Sequence, residues 1–213
     1  MVYHTFNIES ADYIVEVGTH GGQEAIHLQN RFKDAKIYTY EADPQKWNRI
    51  NKNLIDTSIV FRQMGLGDKV EQRMFYKFIG YENDGADSFF PRYNGQMRAK
   101  EKVHITTLEL EMAKYNIPKI DILCMDTQGF EYFILKGLNE RIHDVKNIIM
   151  ELPDINNKSL YNDFKIPDGE DSVYQGAKSS KYIVDFLKSK GFEEVERRRE
   201  NDLESNVHFR KKN

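Results

Sequence analysis

Residues 13–22, which read YIVEVGTHGG, constrain the fold more than any other stretch of this chain. Four of the first five residues are apolar and favour extended backbone, as in a strand that is buried on both faces. Glycines at positions 18, 21 and 22 form a turn, and a helical pattern begins at Gln23. Strand, glycine turn and helix are typical of a nucleotide-binding βαβ unit, in which backbone can approach a ligand closely at an electropositive helix start.

The second half of this unit lies at Lys36–Glu41, which reads as the next strand and ends in an acid. Glu41 comes 19 residues after Gly22, close to the spacing at which an acid accepts hydrogen bonds from ribose hydroxyls. The turn is not G-x-G-x-x-G, and Glu16 would repel a pyrophosphate at the strand end. We therefore expect a cationic sulfonium ligand, S-adenosylmethionine, rather than NAD.

The chain length and charge narrow the class of protein. Its 213 residues suit one α/β domain, 1–213, or one domain of a longer chain, and the net charge of −3 predicts no general attraction to nucleic acid. The one cysteine, Cys124, excludes an internal disulfide framework and fits a cytoplasmic setting. No apolar run approaches the roughly 20 residues of a membrane span, and the N-terminus does not resemble a signal peptide.

Alternating patterns predict a mostly parallel sheet with helices on both faces and one antiparallel end. Two further extended pieces are predicted at 73–79 and 102–105. The main predicted strands, in chain order, are 13–17, 36–41, 59–64, 120–125, 147–152, 192–198 and 206–211, and the last two form a hairpin.

Two irregular regions, 80–100 and 153–178, interrupt these patterns. Long loops inside a compact domain are usually lids or binding loops. Their aromatic residues would suit stacking on a sugar ring, although the loops could equally be pinned by those same aromatics. The aromatics are Tyr81, Phe89, Phe90, Tyr93, Tyr161, Phe164 and Tyr174.

Three acids directly follow or end apolar runs, namely Glu16, Asp126 and Glu151, and Glu41 ends the second predicted strand. Ligands bind beyond the carboxyl ends of parallel strands, so these acids should converge on one crevice together with 65–68. A buried acid in such a place needs a partner. Asp126 is the first candidate for catalysis and Glu151 the second.

The chain resembles the FkbM-type S-adenosylmethionine-dependent methyltransferases over roughly residues 12–152. The family's first motif, D-V-G-A-N-x-G, corresponds here to 16–22, EVGTHGG, and its second, E-P-N-P, to 41–44, EADP. Its most specific motif, K-I-D-V-E-G-x-E-x-x-V-L-x-G, corresponds to 124–137. The residues matched there are Asp126, Gly129, Glu131, Leu135 and Gly137, whereas Cys124 replaces the lysine.

The resemblance implies a Rossmann-like class I methyltransferase fold and O-methylation, often of sugars in glycans or natural products. It also implies the roles of the cofactor-binding residues. Those expected beside the methionine moiety are Glu16, Gly18, Thr19, His20 and Gly21. Glu41 is expected to hold the ribose, Gly65 and Leu66 are expected beside the adenine, and Ala42 is also expected to bind the cofactor.

Methyl transfer to an alcohol needs a general base or a metal that lowers the pKa of the hydroxyl. Asp126 or Glu151 could take the proton, or the two could share Mg²⁺ or Mn²⁺. Glu131 is expected to brace the motif, and His20 and His104 are weaker candidates for the base. Two other readings stay open at this point: an NAD(P)-dependent oxidoreductase, and a methyltransferase-like module that binds without catalysis.

Overall fold

The computed structural model describes residues 6–79, 85–155 and 158–212. Its strands are β1 (Tyr13–Val17), β2 (Lys36–Tyr40), β3 (Val60–Arg62), β4 (Gly65–Leu66), β5 (Glu71–Phe78), β6 (Met97–Thr106), β7 (Ile120–Met125), β8 (Val145–Pro153), β9 (Phe192–Arg199) and β10 (Glu204–Lys211). Its helices are α1 (Gln23–Arg31), α2 (Pro44–Asn53), α3 (Leu108–Lys114), α4 (Glu131–Lys136), α5 (Lys158–Asp163) and α6 (Ser180–Ser189), with a 3₁₀ turn at Asn139–Asp144.

The main sheet has seven strands in the order β3-β2-β1-β7-β8-β10-β9. The first five of these run parallel, and β10 is antiparallel to both of its neighbours. The predicted α/β fold, with a mostly parallel seven-stranded sheet and a terminal antiparallel hairpin, is confirmed. The strand order reverses between β1 and β7, and a ligand crevice is expected there.

Alternating side chains along the central strands build two apolar cores, one on each face of the sheet. In β1, Ile14 packs in one core, whereas Val15 and Val17 pack in the other. Helices α1 and α2 cover the first core, and α3, α4 and α6 cover the second. Helices on both faces hold the carboxyl ends of β1, β2 and β7 in fixed positions.

A second sheet of three strands, in the order β4-β6-β5, lies beside the main one. The sequence predicted its two longer strands only as extended pieces, and β6 begins at Met97, inside the first region predicted to be irregular. Phe75 and Ile105 of this sheet join the larger core. The following helix α3 is capped by Thr107, whose side chain accepts a hydrogen bond from the Leu110 amide.

The two irregular regions pack against each other. The Tyr93 amide donates to the Val173 carbonyl at 3.1 Å, and the Gln175 amide donates to the Pro91 carbonyl at 2.8 Å. Three of their aromatics, Phe89, Phe90 and Tyr174, are buried in the core, which supports the alternative that the loops are pinned by their own aromatics. Tyr81 and the polar residues around it lie outside the described residues.

None of the helices in the described ranges combines the length and the apolar content that a membrane crossing requires.

Candidate active site

A cavity of about 360 Å³ opens at the carboxyl ends of β1, β2 and β7. Its volume lies in the usual range for small-molecule sites. It is lined by most of the site residues predicted from the sequence: Glu16, Gly18, Thr19, His20, Glu41, Ala42, Gly65, Leu66 and Asp126. Gly21 and Glu151 do not line it.

The glycine turn is held tightly against the end of β7. Gly18 has φ +86°, and a Cβ placed on it would come within 1.9 Å of the Asp126 carbonyl oxygen. The amides of Gly18 and Thr19 both donate to the Tyr40 carbonyl, at 2.9 and 3.2 Å. Strands β1, β2 and β7 therefore meet at this turn, and only glycine fits position 18.

Gly21 closes the turn instead of facing the cavity. Its amide donates to the Thr19 carbonyl at 2.6 Å, and its own carbonyl accepts from Asn53 Nδ2 at 2.8 Å. The expected contact of Gly21 with the methionine moiety has no support in this geometry. The sequence pattern could not distinguish a glycine that faces the ligand from one that shapes the turn.

Glu41 lies just beyond β2 with its side chain buried at the cavity wall. Oε2 accepts from the His20 amide at 2.8 Å, and Oε1 accepts from the Asp43 amide at 2.9 Å. Each oxygen keeps a second lone pair for a ligand. Burial raises the pKa of Glu41, while Lys46 and the two amides act in the opposite direction.

Glu16 is the second acid of this wall and is 1% exposed. Its Oε2 accepts from the Thr39 hydroxyl at 2.5 Å. Burial raises the pKa of Glu16 to about 7, although the bond from Thr39 lowers it. A cation that binds beside such a carboxyl lowers its pKa and so favours the charged form.

Part of the cavity lining is apolar. It combines side chains from the small sheet, from the loops next to it and from the start of α4. These lining residues are Met64, Leu66, Phe75, Phe89, Phe130 and Ile134. A Cβ on Gly65 would come within 2.6 Å of the Phe89 ring, so glycine allows the ring to pack against the backbone there.

A buried quartet of charges, Asp43, Lys46, Lys77 and Asp87, lies next to Glu41. Lys77 Nζ contacts both aspartates, with Asp87 Oδ2 at 2.8 Å, and Lys46 Nζ lies 3.3 Å from Asp87 and 3.6 Å from Asp43. Lys46 and Asp87 also line the cavity. The quartet could not be predicted from the sequence. Lys46 and Asp87, which hydrogen-bond each other, are 41 positions apart, and no local pattern joins them.

Asp126 and Glu151 are close together but are bridged by an amide. Gln128 Nε2 donates to Asp126 Oδ1 at 2.7 Å and to Glu151 Oε2 at 3.0 Å. Burial raises the pKa of Asp126, and the amide of Gln128 lowers it. Burial and the neighbouring Asp126 both raise the pKa of Glu151. Glu151 lines a separate cavity of only about 20 Å³, which Glu131 and Glu204 share.

Glu131 occupies the position expected of a brace. Its Oε1 accepts from the Thr127 amide and hydroxyl, both at 3.0 Å, and from the Gly129 amide at 3.4 Å. Burial raises its pKa to about 7. The carboxyl thus holds the loop between β7 and α4, which carries Asp126.

This arrangement supports neither a metal ion shared by Asp126 and Glu151 nor His104 as the general base. Across residues 6–79, 85–155 and 158–212, no three His, Cys, Asp or Glu side chains are grouped to hold a metal ion. The Gln128 amide lies between the two acids that were expected to share one. His104 hydrogen-bonds Gln72 on the exposed face of the small sheet and does not line the cavity, whereas His20 does.

Comparison with known proteins matches the FkbM methyltransferase domain over residues 16–194. The structure is similar to TrmK of M. capricolum in complex with S-adenosylhomocysteine, with a TM-score of 0.52, 15% identity, and coverage of 99% of this chain and 66% of that one. It is also similar to Aeropyrum pernix fibrillarin bound to S-adenosylmethionine, with a TM-score of 0.54, 13% identity, and coverage of 94% and 67%.

The N-terminal domain of EvdMO1 with S-adenosylhomocysteine gives a TM-score of 0.50, 11% identity, and coverage of 95% of this chain and 75% of that one. This chain spans about two thirds of the length of the first two structures. No curated protein matched the sequence. The likenesses confirm the class I methyltransferase fold, and the domain match covers well over half of the residues. The chain therefore belongs to the FkbM methyltransferase family.

Proposed function

We propose that this chain is an S-adenosylmethionine-dependent O-methyltransferase acting on a hydroxyl of a sugar, a glycan or a related small molecule. One observation carries the proposal. A single cavity joins an acid at the end of β1, an acid at the end of β2 and an acid at the end of β7, together with a set of apolar side chains. Those four features suit the sulfonium amino acid, the ribose, the reacting centre and the adenine.

The charge of the cavity favours this cofactor over a nicotinamide dinucleotide. Five carboxyl side chains line it against one lysine, Lys46; the five are Glu16, Glu24, Glu41, Asp87 and Asp126. A pyrophosphate would be repelled there, whereas an ammonium and a sulfonium would be attracted. Family membership supports the same choice.

The reaction transfers a methyl group from the sulfonium sulfur to an acceptor oxygen while the hydroxyl proton leaves. The donor is already activated, so alignment of the acceptor can supply much of the acceleration. Asp126 lies at the cavity wall beside the glycine turn, and burial raises its pKa, which makes it a better base. We assign the proton transfer to Asp126 and a supporting role to Glu151.

The surroundings of Asp126 also favour a neutral acceptor. Glu151, Glu131 and Glu204 lie around the adjoining small cavity with one lysine, Lys178, so the described lining offers a phosphate little attraction. A hydroxyl-rich acceptor without phosphates fits these carboxyls as hydrogen-bond partners. Nucleic acid is therefore the least favoured acceptor class.

Methyl transfer from labelled S-adenosylmethionine to sugars, glycans, RNA, DNA and protein tests the proposal. We expect label in the sugar or small-molecule fractions. Label only in nucleic acid or protein would contradict the acceptor class. Calorimetry without an acceptor separates the steps, because binding without transfer to any class would favour a binding module, and NAD binding alone would favour an oxidoreductase.

A further inference from the structure

Gln128 is placed between the two carboxyl groups at the strand ends. Its amide nitrogen has two N–H groups, and it lies 2.7 Å from Asp126 Oδ1 and 3.0 Å from Glu151 Oε2. Each N–H therefore has its own carboxyl oxygen. Both N–H groups of the amide are therefore occupied, and the amide connects the two carboxyl groups.

The orientation of that amide is fixed from the other side. Tyr174 donates its hydroxyl to Gln128 Oε1 at 2.5 Å, and Arg92 Nη2 donates to the same hydroxyl at 2.9 Å. The Gln128 backbone has φ +54°, and its carbonyl accepts from Ser88 Oγ at 2.7 Å. Rotation of the amide would put its oxygen against two carboxyls, so the nitrogen stays between them.

A divalent cation that bridged Asp126 and Glu151 would compete with this amide for the same carboxyl oxygens. An amide N–H cannot coordinate a cation, but it offers hydrogen-bond donors to both acids. We propose that Gln128 is a positioning residue whose amide takes the place of a bridging cation between Asp126 and Glu151. The proposed function enters only in giving Asp126 its chemical role.

Gln128→Glu tests this inference, because it keeps the size of the side chain but replaces the two donors with a third carboxylate. We expect the variant to bind Mn²⁺ below about 1 mM, seen by electron paramagnetic resonance, and Mn²⁺ to raise its melting temperature. Gln128→Ala vacates the same place and should admit Mn²⁺ more weakly. Gln175→Glu adds the same charge at an exposed position of a neighbouring loop and should gain no Mn²⁺ binding.

Two results would overturn the proposal. One is Mn²⁺ binding by the natural chain that Asp126→Asn abolishes, because the place would then already accept a cation. The other is a folded Gln128→Glu and a folded Gln128→Ala that both exclude Mn²⁺. Calorimetry of the natural chain with S-adenosylhomocysteine distinguishes this from failure of the proposed function, because it measures cofactor binding without Mn²⁺ and without a change at Gln128.

Discussion

Glu41 has an observed role and a proposed role at the cavity wall. Its oxygens accept hydrogen bonds from the amides of His20 and Asp43, and the residue also lines the cavity. Because the proposed ribose contact uses the same carboxyl group, deletion alone does not test it, and two variants are needed.

We expect Glu41→Ala to bind S-adenosylhomocysteine tenfold or more weakly, since a hydrogen bond to a charged group contributes roughly 1.5–3 kcal/mol. Glu41→Gln keeps an oxygen for one amide and should lie between the two. Calorimetry gives the affinities, and Glu101→Ala on the small sheet is a control outside the cavity. Equal affinity in all four proteins would remove Glu41 from the cofactor site.

Glu16 should make cofactor binding depend on pH. Its pKa is raised to about 7 by burial, and the charged form is the one that attracts the cationic methionine moiety. Affinity for S-adenosylmethionine should therefore fall as the pH drops below about 7, by up to about tenfold per pH unit. Glu16→Gln should flatten this dependence in calorimetry between pH 5.5 and 8; a flat profile for the natural chain would count against the assignment.

Asp126→Asn tests the proposed base. The change keeps an oxygen for the Gln128 amide but removes the charge and the basicity, so turnover should fall on the order of 10² or more. The melting temperature should change little. Full turnover, or a chain that fails to fold, would contradict the catalytic role.

Glu16, Glu41 and Asp126 were predictable from the sequence because each lies at or directly after the carboxyl end of a short strand, and those ends converge in a parallel sheet. Glu151 lies within β8 and faces the small cavity instead. Gln128 was not predictable, since its bridge depends on Glu151, 23 positions away, and on Tyr174, 46 positions away. Local pattern indicates that a polar residue lies at a strand end. It does not indicate which oxygen its amide will meet.

At the scale of elements, the main sheet was predictable and the small sheet was not. Strand β6 begins with the residues MRAKE, of which only Met97 is buried, so no apolar alternation marks it. Strand β4 is two residues long, below what a sequence pattern can resolve. The role of the loop aromatics could not be predicted either. Phe and Tyr next to Gly, Pro, Asn or Asp are equally typical of a ligand-binding loop and of a loop anchored in the core.

The contact of the glycine turn with β7 can be measured by a matched pair. Gly18 and Gly95 both have positive φ, +86° and +75°, but only Gly18 lies against other atoms. Gly95→Ala should cost about 1 kcal/mol of conformational strain. Gly18→Ala adds a collision with the Asp126 carbonyl and should destabilise the fold by several kcal/mol more in denaturant unfolding. Equal losses would mean that the turn does not press on β7.

At the scale of the whole molecule, acid should weaken the fold through His208 of the terminal hairpin. Burial lowers its pKa to about 4, and Nε2 lies 2.9 Å from Asn147 Oδ1. The unfolded chain binds this proton below about pH 6.5 and the folded chain only near 4, so stability falls across that window as the pH falls, by roughly 2–3 kcal/mol.

Denaturant unfolding at pH 7, 5.5 and 4.5 checks this, with His208→Gln as the comparison. The raised pKa values of Glu16 and Glu131 act in the opposite direction, since each favours the fold below its folded pKa of about 7. Both proteins share those glutamates, so the difference between the two curves isolates the histidine. If the free energy of unfolding depended on pH in the same way in both proteins, the role assigned to His208 would be contradicted.

The quartet of Asp43, Lys46, Lys77 and Asp87 has a consequence for how this protein could be recombined. Asp43 and Lys46 belong to the cap and first turn of α2, and Lys77 and Asp87 belong to β5 and the loop before β6. A chimaera that grafts the small sheet of another protein onto this chain would leave Asp43 and Lys46 buried with only their mutual 3.6 Å contact, unless the graft also carried a matching lysine and aspartate. The start of α2 and the small sheet therefore have to be exchanged as one unit.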